Sequence, residues 1–138
     1  MHVRKLNKYD YSIIQLLDQF KNNNITISQE QFKLFISQLN EHHTIFVIED
    51  QEKIICCGTI LIETKLIHNC GKVGHIEDII TDYRYRGMGL GKKIIETLIH
   101  YGHQYGCYKI ILDCGNDNIP FYEKCGFTRK ENQMAIYF

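Results

Sequence analysis

From Ile79 to Leu98 the chain reads IITDYRYRGMGLGKKIIETL, a β-branched run that passes through alternate glycines into a helical pattern. The start of a helix presents several backbone N–H groups without intrahelical partners, at the positive end of the peptide dipole. Glycine at positions 87, 89 and 91 removes the Cβ that would hold a ligand off that backbone. Arg86 and Lys92 can add charge-assisted contacts, so residues 86–91 make an anion cradle suited to a phosphate or pyrophosphate. A P-loop needs GxxxxGK[ST], a spacing that Lys92 and Lys93 do not have. A dinucleotide turn needs GxGxxG inside a parallel βαβ unit, whereas the spacing here is GxGxG and the preceding strands read as antiparallel. Neither alternative fits.

What surrounds the turn is set by the rest of the chain. Its 138 residues suffice for one domain, 1–138, with a core that needs no metal or disulfide staple. Sixteen Lys and Arg balance 16 Asp and Glu, so nothing global points to nucleic acid or an acidic membrane, and anion binding must be local. No segment approaches the ~20 apolar residues of a membrane span, and MHVRKLNKYD is not a secretory leader. The expectation is a soluble, cytoplasmic protein. Of six cysteines, Cys56 and Cys57 are adjacent and Cys70, Cys107, Cys114 and Cys125 are scattered, with no CxxC pair or Cys/His box. They read as reduced thiols used as small apolar residues, with no metal site.

Periodicity places the elements. HVRKL reads as a short strand, and YDYSIIQLLDQFKN sets Ile13, Ile14, Leu16, Leu17 and Phe20 at helical spacing, with Asp10 or Ser12 as cap. Ser28 and Gln31 resemble a capping box before a second helix whose apolar face is Phe32, Leu34, Phe35, Ile36 and Leu39. TIFVIED and KIICCGTILIET, joined across residues 50–52, read as an antiparallel pair, and KVGHIEDIIT as a third strand. A helix over residues 89–105, a buried strand YKIILDC, a short helix NIPFYEKC with Pro120 in its first turn, and strand material in GF and NQMAIYF complete the chain. The order β-α-α-β-β-β-α-β-α-β predicts a compact α/β domain.

R-x-x-G-x-G between a strand and a helix resembles the coenzyme A pyrophosphate loop of the GNAT N-acetyltransferases. KLIHNCGKVGHIEDI, YRGMGLGKKIIETL and GCYKIILDCGNDNIPFYEKCGF are similar, near-continuously over residues 65–127, to the glucosamine 6-phosphate N-acetyltransferases. The resemblance implies the acyl-CoA N-acyltransferase fold, a mixed and mostly antiparallel sheet flanked by helices. It also implies acetyl transfer from acetyl-CoA to D-glucosamine 6-phosphate, in the pathway to UDP-N-acetylglucosamine. Transfer would be direct, in a ternary complex and with no acyl-enzyme, in a homodimer whose C-terminal strands cross between subunits.

The same resemblance implies roles for individual residues. Pantetheine would lie along Ile79, Ile80 and Thr81, the pyrophosphate on Arg86, Gly87, Met88, Gly89, Leu90 and Gly91, and Asn118, Ile119 and Pro120 would form the opposite wall. Lys65, Leu66, Ile67, His68, Glu77, Asp78 and Asp113 would take the amino sugar, with Glu77 and Asp113 also catalytic. Tyr122 would meet the coenzyme sulfur, a role that tyrosine can fill as general acid. Adjacent residues face opposite ways on a regular strand, so Glu77 and Asp78 need a bulge to serve one ligand. Otherwise they read as cross-strand partners of Lys65 and Lys109. Two positions depart from the family: Tyr137 stands where Arg contacts the sugar phosphate, and FKNNN replaces a threonine-bearing loop. Lys65, Lys21, Arg129 and Lys130 are the cations left to hold that phosphate. A GNAT enzyme for another small amine and a silent acyl-CoA-binding module share the cradle and stay open on the sequence.

Overall fold

A hairpin starts the sheet. The computed structural model describes residues 1–20 and 24–138, in which β2 (His43–Asp50) turns back into β3 (Lys53–Thr64). Gln51 and Glu52 between them have φ of 47° and 64°, the left-handed pair of a two-residue hairpin loop whose twist matches the strands. β1 (Val3–Lys5) pairs antiparallel with β2 on the outer side, and β4 (Lys72–Thr81) antiparallel with β3 on the inner side. β5 (Cys107–Ile111) runs parallel to β4 and ends the sheet, whose order is β1-β2-β3-β4-β5. A parallel neighbour needs a crossover, and α4 (Leu90–Gln104) supplies it.

Side chains leave alternate faces of the strands, and each face has its own helices. Phe46, Ile48, Ile55 and Ile60 pack on α4 through Ile94, Ile95 and Leu98, all fully buried on the helix side. Val47, Ile54, Cys57 and Ile80 face the other way, against Leu16 of α1 (Ile13–Leu17) and Phe32 of α2 (Gln29–Ser37). An isolated helix of this length is marginal in water, so tertiary burial must hold α4. Burying each Leu or Ile stabilises by about 1.5–3 kcal/mol, which fixes its glycine-rich start in space.

Local signals held at the second helix and shifted at the first. Ser28 Oγ accepts from Gln31 N–H at 3.1 Å and Gln31 Oε1 accepts from Ser28 N–H at 2.7 Å, the reciprocal capping box. Asp10 does not cap α1 with its side chain. Its buried carboxylate takes both arms of Arg4 at 2.8 and 2.9 Å and the Asn7 N–H at 2.8 Å, tying β1 to the start of the helix. Leu34, expected on an apolar face, is exposed, because α2 turns only Phe32 fully into the core.

Two strand expectations are corrected. β5 is not buried: Tyr108, Lys109 and Ile111 are exposed on an edge that pairs with β4 alone among the described residues. NQMAIYF forms no strand, and Met134, Ile136, Tyr137 and Phe138 extend into solvent. A strand needs a neighbour for its ladder, and among the described residues none pairs with the tail. Among the described residues no helix is long and apolar enough to cross a membrane. All six cysteines are free; Cys56 and Cys57 are core residues, whereas Cys70 and Cys114 are exposed and fill no apolar space.

Candidate active site

The candidate site forms where β4 stops sharing both of its edges. β5 pairs with β4 only as far as His75, opposite Ile111, while β3 stays paired with β4 through Thr81. The β3–β4 register also slips between Cys57 and Thr59, leaving an extra residue on β4, and Asp78 sits there at φ 54°. That is a bulge, which bends the strand and re-aims its side chains. It lets Glu77 and Asp78, both exposed, avoid the strict alternation of a regular strand. Past the bulge, Ile79 packs toward α4 over Gly58 and Ile80 is buried on the α1 face, so their backbone, not their side chains, borders the gap.

The strand then meets the cradle. Asp82 accepts from the Arg84 backbone N–H at 2.9 Å and pairs with its guanidinium at 2.8 Å, shaping a 3-10 turn over Tyr83–Tyr85. Tyr85 donates to Asp50 at 2.7 Å and the Tyr83 N–H donates to Gln19 at 3.1 Å, so both sheet faces anchor this turn. The Arg84 guanidinium holds the Asp82 carboxyl well below the usual carboxylate range. Arg86, Gly87, Met88 and Gly89 follow, exposed, with φ of 80° at Gly87 and 79° at Gly89, the helix cap. Leu90 is buried and anchors the helix start. A Cβ added to Gly91 would lie 3.3 Å from the Phe121 ring and 3.6 Å from Thr81 Oγ1. The end of β4, the first turn of α4 and α5 (Ile119–Lys124) therefore converge within contact distance. Asn118, Ile119 and Pro120 open α5 on that side. These groups suit an extended, amide-bearing ligand that ends in a pyrophosphate.

On the other side of the bulge the carboxylates gather. Partial desolvation against the strand raises the exposed Glu77 carboxyl above its ordinary value, and the charges of Asp78 and Asp113 raise it further. Among the described residues none of the three carboxylates enters an ion pair. The cross-strand pairing with Lys65 and Lys109 is absent, because Lys65 reaches Glu63 at 3.3 Å and Glu63 also holds His75 at 2.9 Å. Lys65, Leu66, Ile67 and His68 form the entry to β4, where residues 67–70 make α3 (Ile67–Cys70), a tight turn rather than a regular helix. Leu66 is 90% exposed and Ile67 60%, positions that a core role cannot explain.

Tyr122, on α5, lies half-buried between Phe121 and Phe127, with ring centroids 4.9 and 6.1 Å away. Burial, with the nearby Cys114 and Cys125, pushes its phenol up to about 12. It therefore stays protonated at neutral pH. The same tyrosine and Asp113 line a cleft of about 800 Å³ beside β5, together with Lys109, Arg129 and Lys130. Lys21, another candidate for the acceptor phosphate, lies outside the described residues. Among the described residues no group of three or more His, Cys, Asp or Glu side chains could hold a metal ion. Sequence reasoning missed Tyr108, whose ring stacks on His68 at 4.1 Å; neither the spacing nor the residue type marks it.

Comparison with known proteins bears on this geometry. Residues 11–127 match the Acetyltransferase (GNAT) family. The chain is 43% identical over 142 residues to a glucosamine 6-phosphate N-acetyltransferase of Arabidopsis thaliana, across 99% of this chain and 95% of that one. It is 44% identical over 135 residues to glucosamine 6-phosphate N-acetyltransferase 1 of Dictyostelium discoideum, across 96% of this chain and 86% of that one. The crystal structure of glucosamine-6-phosphate N-acetyltransferase from Arabidopsis thaliana superposes with a TM-score of 0.95 at 42% identity, covering 99% of this chain and 97% of that one.

The Asp82–Arg84 pair has a pH signature. A carboxylate whose folded pKa is depressed stabilises the fold above its ordinary value and loses that contribution as pH falls through the folded one. Asp82→Asn should therefore be less stable than the parent at neutral pH, with the gap closing as pH drops from about 5 toward 2. Urea denaturation across this range checks it; a gap that stays constant would show that the ion pair is not what holds the turn.

Proposed function

The chain belongs to the GNAT acetyltransferases and, within them, to the glucosamine 6-phosphate N-acetyltransferases, and from that premise we propose how its residues perform the transfer. It is an acyltransferase that moves the acetyl group of acetyl-CoA to the amine of D-glucosamine 6-phosphate, giving N-acetyl-D-glucosamine 6-phosphate. The observation that carries this reading is the edge of β4 beyond His75, unpaired with β5, which leads from the carboxylate cluster of Glu77, Asp78 and Asp113 to a glycine cradle. We read residues 1–138 as one acetyltransferase domain, cytoplasmic, whose product feeds UDP-N-acetylglucosamine synthesis.

Acetyl-CoA supplies an activated acyl thioester. The backbone at Ile79, Ile80 and Thr81 pairs with its pantetheine arm, residues 86–91 take the pyrophosphate, and Asn118, Ile119 and Pro120 close the opposite wall. Lys65, Leu66, Ile67 and His68 seat the sugar from one side, with Glu77, Asp78 and Asp113 on the other. An ammonium has no lone pair to attack with, so it must first give up a proton. Glu77, its carboxyl raised by partial desolvation and by the charges of Asp78 and Asp113, acts as the base, and Asp113 orients the amine. Placing amine and thioester on one strand turns the encounter into an intramolecular one. The departing thiolate is a strong base once desolvated, and Tyr122 still holds its proton to give.

The working form is a homodimer. β5 leaves its outer edge open, a cleft of about 800 Å³ runs beside it, and Met134, Ile136 and Tyr137 project from the tail. A second copy's tail is the occupant that gives both an edge and an apolar strand their partners.

Coenzyme A release should be fastest with glucosamine 6-phosphate when compared with glucosamine, arylamines, polyamines and peptide amines; equal or lower activity with the sugar phosphate would sink the assignment. Tyr122→Phe should lower kcat about a hundred-fold or more while coenzyme A still binds, as calorimetry would read. Unchanged turnover of the bound complex would remove Tyr122 from the chemistry. Light scattering should give twice the mass of one chain, and removal of residues 131–138 should give a monomer; a full-length monomer would refute the exchange.

A further inference from the structure

Between β3 and β4 the backbone enters a conformation that side chains disfavour. His68 (φ 54°, ψ 41°), Asn69 (φ 55°, ψ 55°) and Cys70 (φ 58°) are left-handed in succession, and none is glycine. Such residues persist only where their surroundings over-determine them, and they cluster where a ligand is held. Backbone bonds close the turn: Lys65 N–H donates to Gly71 C=O at 2.9 Å and Gly71 N–H to Ile67 C=O at 3.2 Å. Core packing does not hold it, since residues 66–70 are all exposed.

A side chain from β5 does. The Tyr108 ring stacks on His68 with centroids 4.1 Å apart and planes 28° from parallel. It also lies flush against the turn's last residue, where a Cβ on Gly71 would fall 2.8 Å from Tyr108 Cδ1 and 3.1 Å from His68 C=O. The register explains how it gets there. Lys72 is opposite Cys107 and Val73 is opposite Lys109, so Tyr108 is the extra residue of a second bulge. A bulge re-aims the side chain it carries. A strained turn, a bulge that supplies a ring and a glycine that admits it thus meet at one point.

We propose that Tyr108 is a positioning residue for the acceptor, holding the turn of Lys65, Leu66, Ile67 and His68 in the shape that receives the amino sugar phosphate. It rests on the reading that this turn contacts the acceptor. Tyr108 touches neither substrate; it acts through His68 and Gly71. The donor half of the site, built from residues 79–91 and 118–120, does not depend on it.

The test compares Tyr108→Leu, which keeps apolar bulk without a stacking face, with Tyr108→Phe, which keeps the ring, and uses Lys65→Ala to probe the turn itself. Tyr108→Leu should raise KM for glucosamine 6-phosphate about ten-fold or more, with KM for acetyl-CoA and the melting temperature near those of the parent, and Tyr108→Phe should restore it. Normal acceptor KM in Tyr108→Leu with a raised KM in Lys65→Ala overturns the clamp and leaves the turn's role standing. Normal KM in both overturns the clamp together with the acceptor reading beneath it. A rise in both KM values alongside a lowered melting temperature also overturns it, because Tyr108 would then be a structural residue and no more.

Discussion

A strand inside a sheet has two edges to satisfy, and β4 satisfies only one of them beyond His75. The backbone donors and acceptors left on the other edge need a partner, and an extended ligand can be that partner. Three features keep this edge open and aimed. The bulge at Asp78 bends β4, β5 ends at Ile111, and α4 is pinned by Ile94, Ile95 and Leu98 so that its first turn meets the strand's end. Were β4 and β5 to pair to their ends, the gap would close.

The same strand separates two electrostatic regimes within a few residues. At the bulge, Glu77 and Asp78 with Asp113 concentrate negative charge. After it, the glycine-capped start of α4 and Arg86 form a positive end. Between them Asp82 is paired locally with Arg84, and the pair shapes the turn. In the proposed reading, donor and acceptor take opposite ends of this one short segment.

Elements whose signal is local were legible in the sequence. The capping box of Ser28 and Gln31, the β2–β3 hairpin, β4 and the glycine start of α4 all follow from propensity and period. What depends on a distant partner was not. The tail NQMAIYF reads as strand material, yet a strand exists only beside a neighbour, and among the described residues it has none. β5 reads as buried from its composition, but it lies on an edge. Tyr108 is the clearest case, because its stacking on His68 comes from a register slip that no pattern within YKIILDC records. Glu77, Asp78 and Asp113 come together at the bulge, whereas residues 65–68 lie at the other, β5-paired end of β4, and the carboxylate pairing with Lys65 and Lys109 gives way to Glu63, a nearer partner for Lys65.

The central claim is that both substrates lie on β4 at once and that the acetyl group passes directly between them. Initial rates measured while acetyl-CoA and glucosamine 6-phosphate are both varied test it most directly. The account predicts double-reciprocal lines that intersect, and no acetylated enzyme by mass spectrometry after acetyl-CoA alone. Parallel lines together with a stable acetyl adduct on the protein would contradict it.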